Sequence, residues 1–222
     1  LPDLLRDQTA IVVECDNRWK KLFERSFPSI TVVSRQIDYK EDDEVFYDYR
    51  EVVTTNNINS YVLNGDLPAF YRYSLCESVS SKGYLKADPV RIEKFECVLS
   101  KISSKTLIGI CWRSAFSEPV PFIYAKLDEL ISSLPEGDYC LVNLQYGDFS
   151  ADIIRIESEL GVKIHEIPDL DQIEDLDGVA ALISCLDLVI APSSSVLHLS
   201  CALGVPTIST YYPNFRSDAR TD

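Results

Sequence analysis

Three places in this chain put polar side chains directly after an apolar run. Arg113 and Ser114 follow TLIGICW (residues 106–112). Gln145 and Tyr146 follow YCLVNL (139–144). Ser193, Ser194 and Ser195 follow LDLVIAP (186–192), with His198 one helical turn further on. An Arg grips phosphate oxygens through two parallel hydrogen bonds. Hydroxyls and an amide add neutral donors. A helix beginning at the serines would add orphan N–H groups and the positive end of its dipole. Together these suit a diphosphate. The bland alternative is that the serines only cap a helix, that His198 is a half-buried core histidine, and that Arg113 pairs with Glu118 or another surface carboxylate.

The elements that must position these groups follow from the hydrophobic pattern. In LDLVIAPSSSVLHLSCALGVPT (186–207), a short buried-type strand precedes the serines. Val196, Leu199, Ala202 and Leu203 then fall at helical spacing, Gly204 stops the helix and Pro206 lies just beyond. Upstream, Asp88-Pro89 opens a helix to about Ile102, and strands are expected at 106–112, 139–144 and 163–167. Helices are expected at 122–134, from a Ser150 cap to Leu160, and at 178–185 after an acidic loop (169–177). A last strand lies near 207–210. Strands alternating with helices mean an α/β fold with a doubly wound parallel sheet, whose strand C-termini share one edge where ligands bind. Arg113, Gln145 and the serines therefore converge on one rim.

The first part reads as a smaller βαβ unit: a strand at 10–15, a helix capped by Asp16 with Trp19, Leu22, Phe23 and Phe27 on one face, and a strand at 30–33. The acidic, aromatic-rich stretch 38–51 reads as a solvated loop or edge. Residues 69–76 have helical character. Ser78–Gly83 has linker composition, so the domains are expected at 1–83 and 84–222.

Composition excludes several function classes. The 222 residues carry a formal net charge of −14, a field that repels nucleic acid and anionic membranes. No apolar run reaches the roughly 18 residues of a membrane span, and no signal peptide is visible. The seven cysteines are unpaired in sequence, as expected of reduced core residues in a cytoplasmic protein. With two histidines and no CxxC, neither a metal nor a cofactor site is expected. There is no Walker loop, no GxGxxG and no GxSxG elbow, which argues against a P-loop NTPase, an ordinary NAD fold and an esterase. The chain begins with Leu and holds no Met, which points to a fragment or processed product.

The combination ICWRS, LVNLQYGD and DLDQIEDLDGVAALISCLDLVIAPSSSVLHLSCALGVPT resembles the C-terminal half of GT-B glycosyltransferases. More narrowly it resembles the heptosyltransferase-like group (family 9) and the glycosyltransferase domains attached to tetratricopeptide repeats. The likeness covers residues 105–210 and is looser over 10–85. It implies two Rossmann-like domains, the first incomplete: 1–83 on the acceptor side and 84–222 for a nucleotide sugar. It also implies that Ser193, Ser194, Ser195 and His198, with Arg113, Ser114, Gln145 and Tyr146, hold the donor's diphosphate without a metal. Ser193 stands where those families usually carry Asp. Their glycine-containing first loop and their C-terminal crossing helix have no counterpart here, and Asp66 in the Gly65–Pro68 loop is the remaining candidate for a catalytic base. The partners implied are a nucleotide sugar and an acceptor that the sequence does not name. The alternatives are a catalytically inactive GT-B remnant serving as a binding or interaction module, and a nucleotide-sugar epimerase of the same fold.

Overall fold

The structure is a computed structural model, and it describes residues 10–35, 37–41, 44–71, 83–114 and 124–210. The chain divides into two compact units, Leu1–Lys86 and Ala87–Asp222.

In the first unit, β1 (Val12–Cys15) and β2 (Thr31–Ser34) pair in parallel around α1 (Lys20–Ser26). Asp16 accepts from Arg18 N as expected of a cap, but the residues after it, Asn17–Trp19, form a 3₁₀ turn and the α-helix starts only at Lys20. Leu22 is fully buried and Ser26 Oγ returns its hydrogen bond to Leu22 O. The acidic stretch that reads as a solvated loop instead holds an antiparallel pair, β3 (Ile37–Glu41) with β4 (Glu44–Tyr47). Aromatic and β-branched residues interleaved among the acids favour a strand over a loop. A short helix α2 (Arg50–Thr55), a 3₁₀ turn (Asn64–Asp66) and α3 (Leu67–Tyr71) follow. The rest of the helix expected at 69–76, and most of the linker at 78–83, lie outside the described residues. Tyr84 stacks on Phe27, and the backbone of Lys86 is held by Ser26 Oγ and Arg25, so the chain leaves this unit after Lys86.

The second unit is a five-stranded, wholly parallel sheet in the order β7-β6-β5-β8-β9. It opens with α4 (Pro89–Ile102), capped by Asp88 onto Val90 N with proline in the first turn. The strands are β5 (Thr106–Ile110), β6 (Tyr139–Asn143), β7 (Ile164–His165), β8 (Leu188–Ala191) and β9 (Thr207–Ser209). Between them run α5 (Leu127–Ser133), α6 (Ser150–Leu160), α7 (Leu176–Ser184) and α8 (Ser195–Leu203). From β5 the chain steps one way to β6 and β7, then returns to place β8 on the other side of β5 and moves on to β9. Right-handed crossovers therefore put α5 and α6 on one face and α7 and α8 on the other. Ile108, Ile110, Leu141, Ile164 and Ile190 meet Leu127, Leu130, Ile131, Ile153 and Ile156 from α5 and α6 in one dry layer. The sheet alternation turns Gly109 to the opposite face, where a Cβ would lie 2.6 Å from the methyls of both Leu144 and Leu186.

Two caps differ from expectation. Ser150 is the first helical residue rather than the cap, which is Phe149 with no side-chain bond. The helix expected from Gly178 begins at Leu176, because Asp175 accepts from Gly178 N and serves as its cap. The helix expected from Phe122 begins only at Leu127: Tyr124, Ala125 and Lys126 are not helical, Lys126 being its extended N-cap, and Phe122 itself lies outside the described residues.

Candidate functional site

The order in which strands are added reverses at β5, first to β6 and β7 and then to β8 and β9, the topology that forms a crevice at the C-terminal ends of β5 and β8. In open parallel sheets that crevice is where ligands sit, because the two following loops diverge and leave backbone groups unpaired. Here those loops carry Cys111–Ser114 and Pro192–Ser194.

After β5, the Cys111 N–H still bonds Ile190 O on β8 at 2.9 Å, so the turn leaves the sheet at Trp112. Its backbone is then held by one side chain. Gln145 is fully buried; its Oε1 accepts from Trp112 N at 3.0 Å and Arg113 N at 2.9 Å, and its Nε2 donates to Arg113 O at 2.9 Å and Tyr146 O at 3.0 Å. Gln145 is seated in turn by Asn143, whose Oδ1 accepts from Gln145 N. Tyr146 is buried, and its hydroxyl lies 3.4 Å from Ser114 Oγ.

Arg113 is paired within the chain. Its guanidinium bonds the carbonyl of Asp148 and lies 3.3 Å from Asp152 Oδ2, a carboxylate oxygen that also accepts from the Trp112 indole at 3.0 Å. The partner is this α6 carboxylate; Glu118 lies outside the described residues. The arginine keeps about a third of its side chain exposed, so an incoming anion can reach it but must compete with Asp152.

After β8, Ser194 takes the N-cap position of α8 in an extended conformation, yet its hydroxyl makes no capping bond. It is turned inward, where it makes no hydrogen bond of normal geometry and has the Cys111 thiol as its polar neighbour. Burial pushes that thiol up to about 12, with backbone hydrogen bonding at Arg113 and the Ser194 hydroxyl offsetting part of that shift. A thiol so held is neutral and inert at physiological pH. The first intrahelical bond of α8 runs from His198 N to Ser194 O, leaving the N–H groups of Ser195, Val196 and Leu197 without helical acceptors. Ser193, Ser195 and His198 are exposed, so His198 is not the core histidine of the bland alternative. Gly204, at φ 80°, closes the helix in the left-handed conformation expected of it.

Asp66 belongs to the first unit, exposed in its 3₁₀ turn, and its carboxylate has no partner among the described residues. Three groups at the rim escape the sequence reading. Asp152 sits in the first turn of α6, where an acid is routine. Asn143 is signalled only as a polar end to an apolar strand. Gln172 donates to Asn143 O and leaves its buried Oε1 without a partner, an acceptor that could take a hydroxyl or N–H but not a phosphate. Among the described residues no three His, Cys, Asp or Glu side chains converge as metal ligands would, and no helix is long and apolar enough to cross a membrane.

One comparison with known proteins, to a family model, falls on elements of this rim. Residues 174–217, which include α7, β8, α8 and β9, match the model of glycosyltransferase family 9 (heptosyltransferase). Protein FlbA of Caulobacter vibrioides is 30% identical over 213 residues, 93% of this chain; the chain spans 35% of the length of that relative. Among solved structures, the E. coli ADP-heptose LPS heptosyltransferase II is similar over 57% of this chain and 39% of its own, with 20% identity and a TM-score of 0.44. Thermosulfurimonas dismutans KpsC, a beta Kdo 2,7 transferase, is similar over 92% of this chain and 79% of its own, with 13% identity and a TM-score of 0.34.

Proposed function

We propose that the second unit binds the nucleoside diphosphate of a sugar donor, and that the chain serves sugar transfer to an acceptor. The observation that carries this reading is the uncapped N-terminus of α8, with buried Ser194 making no hydrogen bond of normal geometry, at the crevice between β5 and β8. It lies inside the segment that matches the glycosyltransferase family model. A buried hydroxyl without a well-formed hydrogen bond costs on the order of 1–3 kcal/mol, a cost that an incoming group can offset. In transfer, negative charge grows on the departing diphosphate. Fixed N–H groups at the helix end would stabilise it without rearranging, which is electrostatic preorganisation, and the Arg113 guanidinium would join them by exchanging Asp152 for the diphosphate. Asp66 stays the proposed base, since its exposed carboxylate is uncommitted among the described residues.

One observation favours a second reading, a binding module without turnover: Arg113 is held by Asp152. Calorimetric titration with UDP, ADP and GDP, followed by a sugar-release assay with the matching nucleotide sugars, separates the two. Binding with release supports transferase chemistry, and Asp66→Asn should then abolish release while leaving diphosphate affinity unchanged. Binding without release supports the module. Absence of binding to all three removes the donor-site assignment.

A further inference from the structure

We propose that Gln145 is a positioning residue: it does not touch a ligand but clamps the Cys111–Arg113 turn, and so presents Arg113 at the rim. The inference rests on the donor-site reading for its consequence, not for its geometry.

The orientation of this amide is set by its surroundings. Trp112 N and Arg113 N can only donate, and the carbonyls of Arg113 and Tyr146 can only accept. Oε1 must therefore face the first pair and Nε2 the second, with distances of 2.9–3.0 Å throughout. The Cys111 thiol lies 3.5 Å from the same oxygen. Every donor and strong acceptor site of the side chain is thereby occupied, and none remains for a diphosphate. Its own backbone is pinned by Asn143, which is likewise fully buried. The chain leaves β5 with two successive N–H groups that no strand can accept, because the ladder ends at Cys111. Gln145 supplies that missing acceptor from the neighbouring strand end. Without it both amides are orphaned, the turn loses its single conformation, and Arg113 leaves the position from which it reaches α6 or a ligand.

The test uses the full chain in two arms. Hydrogen exchange followed residue by residue should show the Trp112 and Arg113 amides protected in wild type. In Gln145→Leu they should exchange freely while β5 and β6 stay protected. Amides that are already free in wild type, or still protected in the variant, overturn the clamp. In the second arm, Gln145→Leu should weaken binding of UDP, ADP or GDP by about tenfold, comparable with loss of one charge-assisted contact. The double variant with Arg113→Ala should bind no more weakly than Arg113→Ala alone, because both changes remove the same contact. Additive losses would mean that Gln145 acts other than through Arg113. Should Gln145→Leu fail to fold, Gln145→Glu keeps the acceptor and loses both donations; it should leave the two amides protected and free the Arg113 carbonyl, with an intermediate affinity, and free amides there overturn the proposal. If wild type binds none of the three nucleotides, the donor-site reading falls and the exchange arm alone decides the clamp.

Discussion

At the scale of single residues, Arg113 and Asp152 are competitors. Their ion pair is about one third exposed on each side, where such pairs contribute at most about 1 kcal/mol. A diphosphate offers two charges and better geometry, so Arg113 should swap partners on binding. Arg113→Ala is therefore expected to weaken nucleoside diphosphate binding by about tenfold. Asp152→Asn, which keeps an acceptor for the Trp112 indole, should instead tighten it by up to about fivefold. Calorimetry on both variants checks the pair of signs. Tighter binding in neither, or weakening in both, would show that the Asp152 contact helps rather than opposes the ligand.

At the scale of elements, the start of α7 depends on a three-part joint. Asp175 caps the helix through Gly178 N and also takes Arg91, which reaches it from α4 with one contact of 2.7 Å. The arginine's charge is further secured by this contact, which raises its pKa. A Cβ at Gly178 would overlap the Arg91 guanidinium, the Asp175 carboxylate and the Leu170 methyl, so these side-chain ends, two of them held by their own ion pair, must shift to admit it. Gly178→Ala should cost on the order of 1–3 kcal/mol, as overpacking does, despite alanine's better helix propensity. Urea denaturation measures this. An unchanged or raised midpoint would mean that the joint yields without penalty. The neighbouring α8 shows the opposite economy, since its cap hydroxyl is withheld and its first turn left open.

At the scale of the whole molecule, buried thiols give stability a defined pH dependence. Burial raises Cys111 to about 12 and Cys15 and Cys185 to about 11, from 9.0. The folded chain therefore holds these protons more tightly than the unfolded chain. Below pH 9 both states keep them and nothing is lost. Between pH 9 and 12 the unfolded state releases protons that the folded state retains, so stability falls as pH rises, by about 1.4 kcal/mol per unit for a fully buried thiol such as Cys111. Urea midpoints at pH 8 and 10.5 should differ more in wild type than in Cys111→Ala. Equal slopes would remove Cys111 as a source of the effect.

What the sequence by itself determined was local and periodic. The apolar runs at 106–110 and 188–191 are strands because most of their residues suit a surface covered on both sides; Asp16 and Asp88 mark the start of a 3₁₀ turn and of a helix through their carboxylates, and Pro89 and Gly204 mark helix ends through their backbone. The alternation of strands and helices carried the α/β class, and the residues after the strands were assigned to one rim. Only the tertiary structure decided the strand order, and with it the crevice between β5 and β8, since pairing across the sheet has no signature in a single strand. It also decided partners. Nothing near Gln145 in sequence reveals that Trp112 and Arg113 lack an acceptor, nor that Asp152, far along the chain, faces Arg113. Nor does a run of three serines reveal that the middle hydroxyl turns inward. Hydrogen-bond partnership depends on distances of about 3 Å between groups brought together by packing. Periodicity reports which face a residue occupies, and packing alone reports what it meets there.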